Sequence, residues 1–92
     1  MKIEGYVFKA DEKETRAKYA ARMVELREVA NGVTLNKSPA YGQCRFTGSL
    51  NTPEAQALSE LDIALIADHG NLCFGGECIK SGNTFRGNYW TD

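Results

Sequence analysis

The spacing of hydrophobic positions changes period several times along the chain. Residues Ile3 to Phe8 are rich in β-formers, with Ile3, Tyr6 and Phe8 as anchors, and predict a first strand that Gly5 weakens or bulges. From Asp11 onward the spacing becomes three and four. Tyr19, Ala20, Met23, Leu26 and Ala30 form one apolar stripe, while Arg16, Lys18, Arg22, Glu25 and Glu28 fall mainly on the other faces. Asp11 and Glu14 have the spacing of a capping box at the start of this helix, and Gly32 is expected to stop it in the left-handed conformation. A helix of that extent is about 28 Å long, enough to cross a small sheet.

Val33 and Leu35 begin a second strand, which the stretch 36–42 is expected to turn, with Pro39 and Gly42 as the turn residues. The alternation then becomes two-fold. From Gln43 to Leu50, Cys44 and Phe46 point one way and Gln43, Arg45 and Thr47 the other. Residues 51–70 predict a second helix, capped by Thr52, begun by Pro53 and stopped by Gly70. Its inward stripe is Leu58, Leu61, Ala64 and Leu65. Ile63 and Ile66 widen it, so this helix should be buried more deeply than the first.

From Leu72 to Trp90 the chain is β-rich and punctuated by glycine, and two registers compete. In one, Gly75 and Gly76 form a two-residue turn that places Cys73 opposite Cys78. In the preferred one the strand runs through those glycines and turns at Ser81-Gly82, setting Cys78 against Phe85, Glu77 against Arg86, Gly76 against Gly87 and Phe74 against Tyr89. That arrangement puts an ion pair on one face, aromatics on the other, and glycines where rings can cover them. The resulting fold class is α+β: a two-layer sandwich of order β-α-β-β-α-β-β, in which two helices cover one face of a mostly antiparallel sheet. The 92 residues, 1–92, make one compact domain.

Charge narrows the choice of partner. Eleven Lys and Arg are interleaved with twelve Asp and Glu, for a net charge of -1, so a nucleic-acid backbone is not the expected partner. No segment has the length and apolarity of a membrane span, and the first residues lack the apolar core of a signal peptide. The expected compartment is the cytoplasm, which suits an odd count of three cysteines.

Those cysteines are the first candidates for chemistry. Cys44, His69, Cys73 and Cys78 are ligand types for structural zinc, but the spacing lacks the paired C-x2-C knuckle, and buried thiols are the preferred reading. A Cys73–Cys78 disulfide requires the Gly75-Gly76 turn. His69 is expected at a helix C-terminus, with no Asp/His/Cys order that would activate a thiol. The glycines of 74–78 and 80–88 do not open a helix, as a phosphate cradle would. No catalytic residues and no cofactor are assigned.

Phe74, Phe85, Tyr89 and Trp90, beside Lys80 and Arg86, could display rings to a single strand of nucleic acid, but a two-helix domain needs such rings inside, and the preferred reading has Phe74, Phe85 and Tyr89 face the helices as core with Trp90 capping an edge. Surface then carries the functional expectation. Tyr41, Arg45, Arg86, Tyr89 and Trp90 are of the residue types that dominate interfaces, and form the candidate partner-binding set. The expected function is a non-enzymatic protein that docks onto a larger host or cognate protein. By the general habit of small motif-free domains, its class would be a phage- or mobile-element-type regulator or inhibitor of a host system. A zinc-stabilised domain and a single-strand binder using the hairpin aromatics are the alternatives.

Overall fold

The computed structural model describes residues 12–68 and 76–90. The expected strand from Ile3 to Phe8, the Asp11 cap, His69, Gly70, Cys73, Phe74 and Gly75 lie outside the described residues. The structure is a two-layer α+β domain. A first helix, α1 (Glu12–Leu26), leads through a single 3-10 turn (Val29–Gly32) into the hairpin β1 (Val33–Ala40) and β2 (Gln43–Leu50). Two short helices follow, α2 (Pro53–Gln56) and α3 (Glu60–Asp68). The hairpin β3 (Gly76–Ser81) and β4 (Thr84–Trp90) completes the described chain. The four described strands pair antiparallel, in the order β1-β2-β4-β3.

Alternation along the strands sorts two faces. Phe46 and Leu50 of β2, Cys78 of β3 and Phe85 of β4 are buried on the inner face, against Tyr19 and Leu26 of α1 and Ile63 to Ala67 of α3, and Cys44 is buried on the same face beyond that cluster. Helix α3 is buried on every side from Asp62 to Asp68, as its run of apolar residues anticipates. On α1 only part of the expected stripe is covered: Tyr19 and Leu26 are buried and Met23 half-buried, while Ala20 is exposed.

Several local expectations are corrected. The first helix ends at Leu26, about 22 Å long, and the 3-10 turn replaces its expected last stretch. Gly32 is not a left-handed stop; it is buried where a Cβ would strike the Thr52 side chain. The stretch 36–42 is mostly strand. Pro39 lies in β1, an outer strand of the described sheet, where its missing N–H is tolerated, and the turn is only Tyr41-Gly42, with Gly42 at φ +80°.

The expected second helix is two helices. Thr52 caps α2 by accepting from Ala55 N–H at 3.1 Å, with Pro53 at the first position. Ser59 then caps α3, its Oγ accepting from Asp62 N–H at 3.1 Å, so the chain breaks and restarts between Gln56 and Glu60. A serine followed three residues later by an acid is itself a capping signal, and Ser59 and Asp62 carry it inside the stretch 51–70.

The last hairpin turns at Gly82-Asn83, one residue beyond the preferred register, with Gly82 at φ +59°. Cys78 therefore faces Gly87, Glu77 faces Asn88, Ile79 faces Arg86 and Gly76 faces Tyr89. Because the slip is even, every side chain keeps its expected face while changing its partner. Glycines under rings are present, on different pairs: Phe46 covers Gly87 and Phe85 covers Gly48.

Lys80 ties β3 to the helices. Its backbone N–H donates to Glu60 Oε2 at 2.9 Å, and its Nζ donates to the carbonyls of Gln56 and Leu58 at the break between α2 and α3.

Candidate functional site

The outer face of the sheet carries the polar half of each strand. Thr34, Asn36, Ser38 and Ala40 on β1, Arg45 and Thr47 on β2, and Thr84, Arg86 and Trp90 on β4 are all exposed, so none of the described helices covers them. Register sets their neighbours. Arg45 lies opposite Asn88, which lies opposite Glu77; Thr47 lies opposite Arg86, which lies opposite Ile79; Gln43 lies opposite Trp90. Together Arg45, Thr47, Glu77, Ile79, Arg86 and Asn88 line a shallow depression of ≈ 340 Å³. Trp90 is 45% exposed beside it, and Tyr41, fully exposed, stands in the β1–β2 turn at the same end of the sheet.

Of the five residues expected to bind a partner, the structure brings Arg45, Arg86 and Trp90 onto this face and Tyr41 to its rim. It separates Tyr89 from them. Tyr89 alternates onto the inner face, half-buried, where its ring stacks on Phe46 with centroids 6.2 Å apart and Lys37 Nζ lies 5.8 Å over it. Burial, with the Cys44 side chain beside it, raises the Tyr89 pKa and keeps the phenol neutral. Phe85 is likewise inside, 6.1 Å from the Phe46 ring. The hairpin aromatics among the described residues therefore do not form a stacking platform: Trp90 alone of that set is outward.

Asn88, Ile79 and Glu77 join the depression from outside the candidate partner-binding set. Glu77 was legible as a face neighbour of Arg86, but the expected ion pair between them is not formed among the described residues. Their Cα partners are Asn88 and Ile79. Asn88 Oδ1 is buried without a hydrogen-bond donor, a placement that depends on the register actually adopted.

The thiols of Cys44 and Cys78 are buried and in no disulfide. Cys44 is on β2 and Cys78 on β3, with β4 between them, and their partners Tyr89 and Gly87 lie two residues apart along β4. Two strand spacings separate the backbones by about 10 Å, too far for both sulfurs to ligate one zinc at about 2.3 Å. Among the described residues no group of three His, Cys, Asp or Glu side chains could hold a metal ion. Burial, with the Glu60 charge nearby, pushes the Cys78 thiol up to about 12, so it is a poor nucleophile at neutral pH. His69 and Cys73 lie outside the described residues.

A charged contact among the described residues joins the helices. Arg22 of α1 donates through Nε and Nη2 to the two carboxylate oxygens of Asp62 on α3, at 2.9 and 2.8 Å, and through Nη1 to Glu25 at 2.7 Å. The hydrogen bonds from Arg22 hold the Asp62 carboxyl below its ordinary pKa of 3.8. Arg22 is thereby committed to structure, while Arg45 and Arg86 make no ion pair among the described residues. No described helix is long and apolar enough to cross a membrane. Neither a known protein family, nor a curated protein, nor a solved structure matches the chain.

Proposed function

We propose that this protein is a non-enzymatic binding module that docks onto a larger protein through the outer face of its sheet. One observation carries the reading: Arg45, Arg86 and Trp90 stand together on a face that no described helix covers, with Tyr41 at the same end. Arginine, tryptophan and tyrosine supply most of the energy in protein interfaces, and here they are displayed rather than packed. The thiols on the described strands serve the core instead. A small regulator or inhibitor that works by covering a surface of a host complex, of the kind carried by phage or mobile elements, needs only such a face, and this is the class of role proposed.

The test is capture of a binding protein from cells of the native host by the wild-type chain and by Arg45→Ala, Trp90→Ala and Tyr41→Ala. The expected result is retained thermal stability with binding weakened by about 1–3 kcal/mol for each substitution that reaches the interface. Equal capture by all three variants would exclude this face.

A further inference from the structure

We propose that the partner surface seated on this face is an acidic, extended protein segment whose carboxylates engage Arg45 and Arg86, with Trp90 packing at one end; this rests on the docking reading above. Arg45 and Arg86 occupy diagonal positions on adjacent strands, since Arg45 faces Asn88 and Arg86 faces Thr47. Diagonal neighbours on one sheet face are about 7–8 Å apart. Alternate side chains of an extended segment are about 6.6 Å apart, so two carboxylates on one side of such a segment match the two guanidinia.

The guanidinia are available for that use. Both residues are exposed, and neither makes an ion pair among the described residues, whereas Arg22 and Lys80 are engaged with Asp62 and with helix carbonyls. Asn88, between Arg45 and Glu77 in the same row, keeps its buried Oδ1 without a donor, so neither arginine is folded down onto it. A guanidinium meets a carboxylate through two parallel hydrogen bonds, which gives geometric selectivity as well as charge attraction. Glu77 stands on the β3 side of the depression and repels an acid there, which confines the segment to the β2–β4 side. The same carboxylate, with Arg45 and Arg86 the only arginines among the described residues of this face, disfavours a nucleic-acid backbone, whose binding depends on neutralising many phosphates. Trp90 and Ile79 add apolar contact suited to a peptide.

The experiment titrates the isotope-labelled full chain with a glutamate-rich peptide, a lysine-rich peptide and oligothymidylate, following backbone amides and the Trp90 indole by NMR at low salt. The glutamate peptide should shift Arg45, Thr47, Arg86 and Asn88. Arg45→Glu or Arg86→Glu should weaken that binding at least about fivefold, and raising salt until the Debye length is about 3 Å should do the same. Arg45→Lys should keep part of the affinity. An unchanged spectrum, shifts confined to other surfaces, or indifference to both reversals would overturn the proposal, and tighter binding of oligothymidylate would replace it with a nucleic-acid partner. If the glutamate peptide fails while Trp90→Ala still abolishes capture of the cellular protein, the acidic segment is wrong and the docking face stands. If capture is indifferent to Trp90, Arg45 and Tyr41, the docking face itself is wrong.

Discussion

Arg22 and Asp62, forty positions apart in the chain, are joined by two parallel hydrogen bonds of 2.9 and 2.8 Å that fasten α1 to α3. The Asp62 side chain is only 12% exposed, so removing its partner strands a carboxylate in a poorly hydrated place. Arg22→Met should therefore lower the melting temperature more than Arg22→Met combined with Asp62→Leu, and thermal unfolding of both variants checks the order. Protonation reports the same contact. Because Asp62 titrates below its ordinary 3.8 in the folded chain, its contribution is complete above that value and fades as pH falls through the lower folded pKa. Urea midpoints should accordingly decline on acidification below about pH 4, and Asp62→Asn should flatten the decline.

Thr52 has two tasks, accepting from Ala55 N–H and filling the space left by Gly32. Thr52→Ala should cost about 1 kcal/mol from the lost cap. Thr52→Ser restores the oxygen and should recover most of it in chemical denaturation, whereas Gly32→Ala should be destabilising on its own because its Cβ meets the same side chain.

The Phe46 ring lies over Gly87, where a Cβ would meet ring carbons and the Glu77 carbonyl. Gly87→Ala should destabilise by about 1–3 kcal/mol through overpacking. Phe46→Ala empties the centre of the core and should cost about 3–5 kcal/mol, a large share of the stability of a domain this size. A Gly87→Ala protein as stable as wild type would contradict the ring-over-glycine arrangement.

Tyr89 and Trp90 are adjacent in sequence and opposite in role. Trp90→Ala should leave unfolding nearly unchanged and weaken partner binding, while Tyr89→Ala should lower stability by about 2–3 kcal/mol through loss of packing on Phe46. Measuring stability and binding on both variants separates the two faces of β4.

Cys78 should resist alkylation in the native chain at neutral pH and react once the protein unfolds, because burial holds its pKa near 12. The folded value exceeds the ordinary 9.0, so stability is unaffected below that value and falls as pH rises from there towards 12. Mass spectrometry after iodoacetamide treatment, with and without denaturant, reads the outcome directly.

Periodicity made much of this legible. Cys44 and Phe46 against Arg45 and Thr47 located both faces of β2, and the apolar run from Ile63 to Ala67 located the buried helix. Strand pairing was harder. Ser81-Gly82 and Gly82-Asn83 are both acceptable two-residue turns, and the choice between them moves each partner along β4 by two residues without moving any side chain to the other face. Faces are set by local alternation, whereas contacts such as Arg22 with Asp62 or Asn88 beside Arg45 depend on distant pairing that no local spacing encodes. Tyr89 obeys alternation: its residue type suited an interface, but its parity with Gly87 and Phe85 turned it inward, as expected of a hairpin ring that serves the core.

Lys80 has one further effect, on what the molecule refuses. The outermost described strand β3 has its backbone N–H at Lys80 taken by Glu60, and the other outer strand, β1, offers no donor at Pro39. An intruding strand seeking to extend the ladder at either margin of the described sheet meets a missing link, which discourages runaway stacking of one chain on the next. Recruitment through side chains on the flat of the sheet, rather than backbone along its rim, is the mode of association that this protection leaves open.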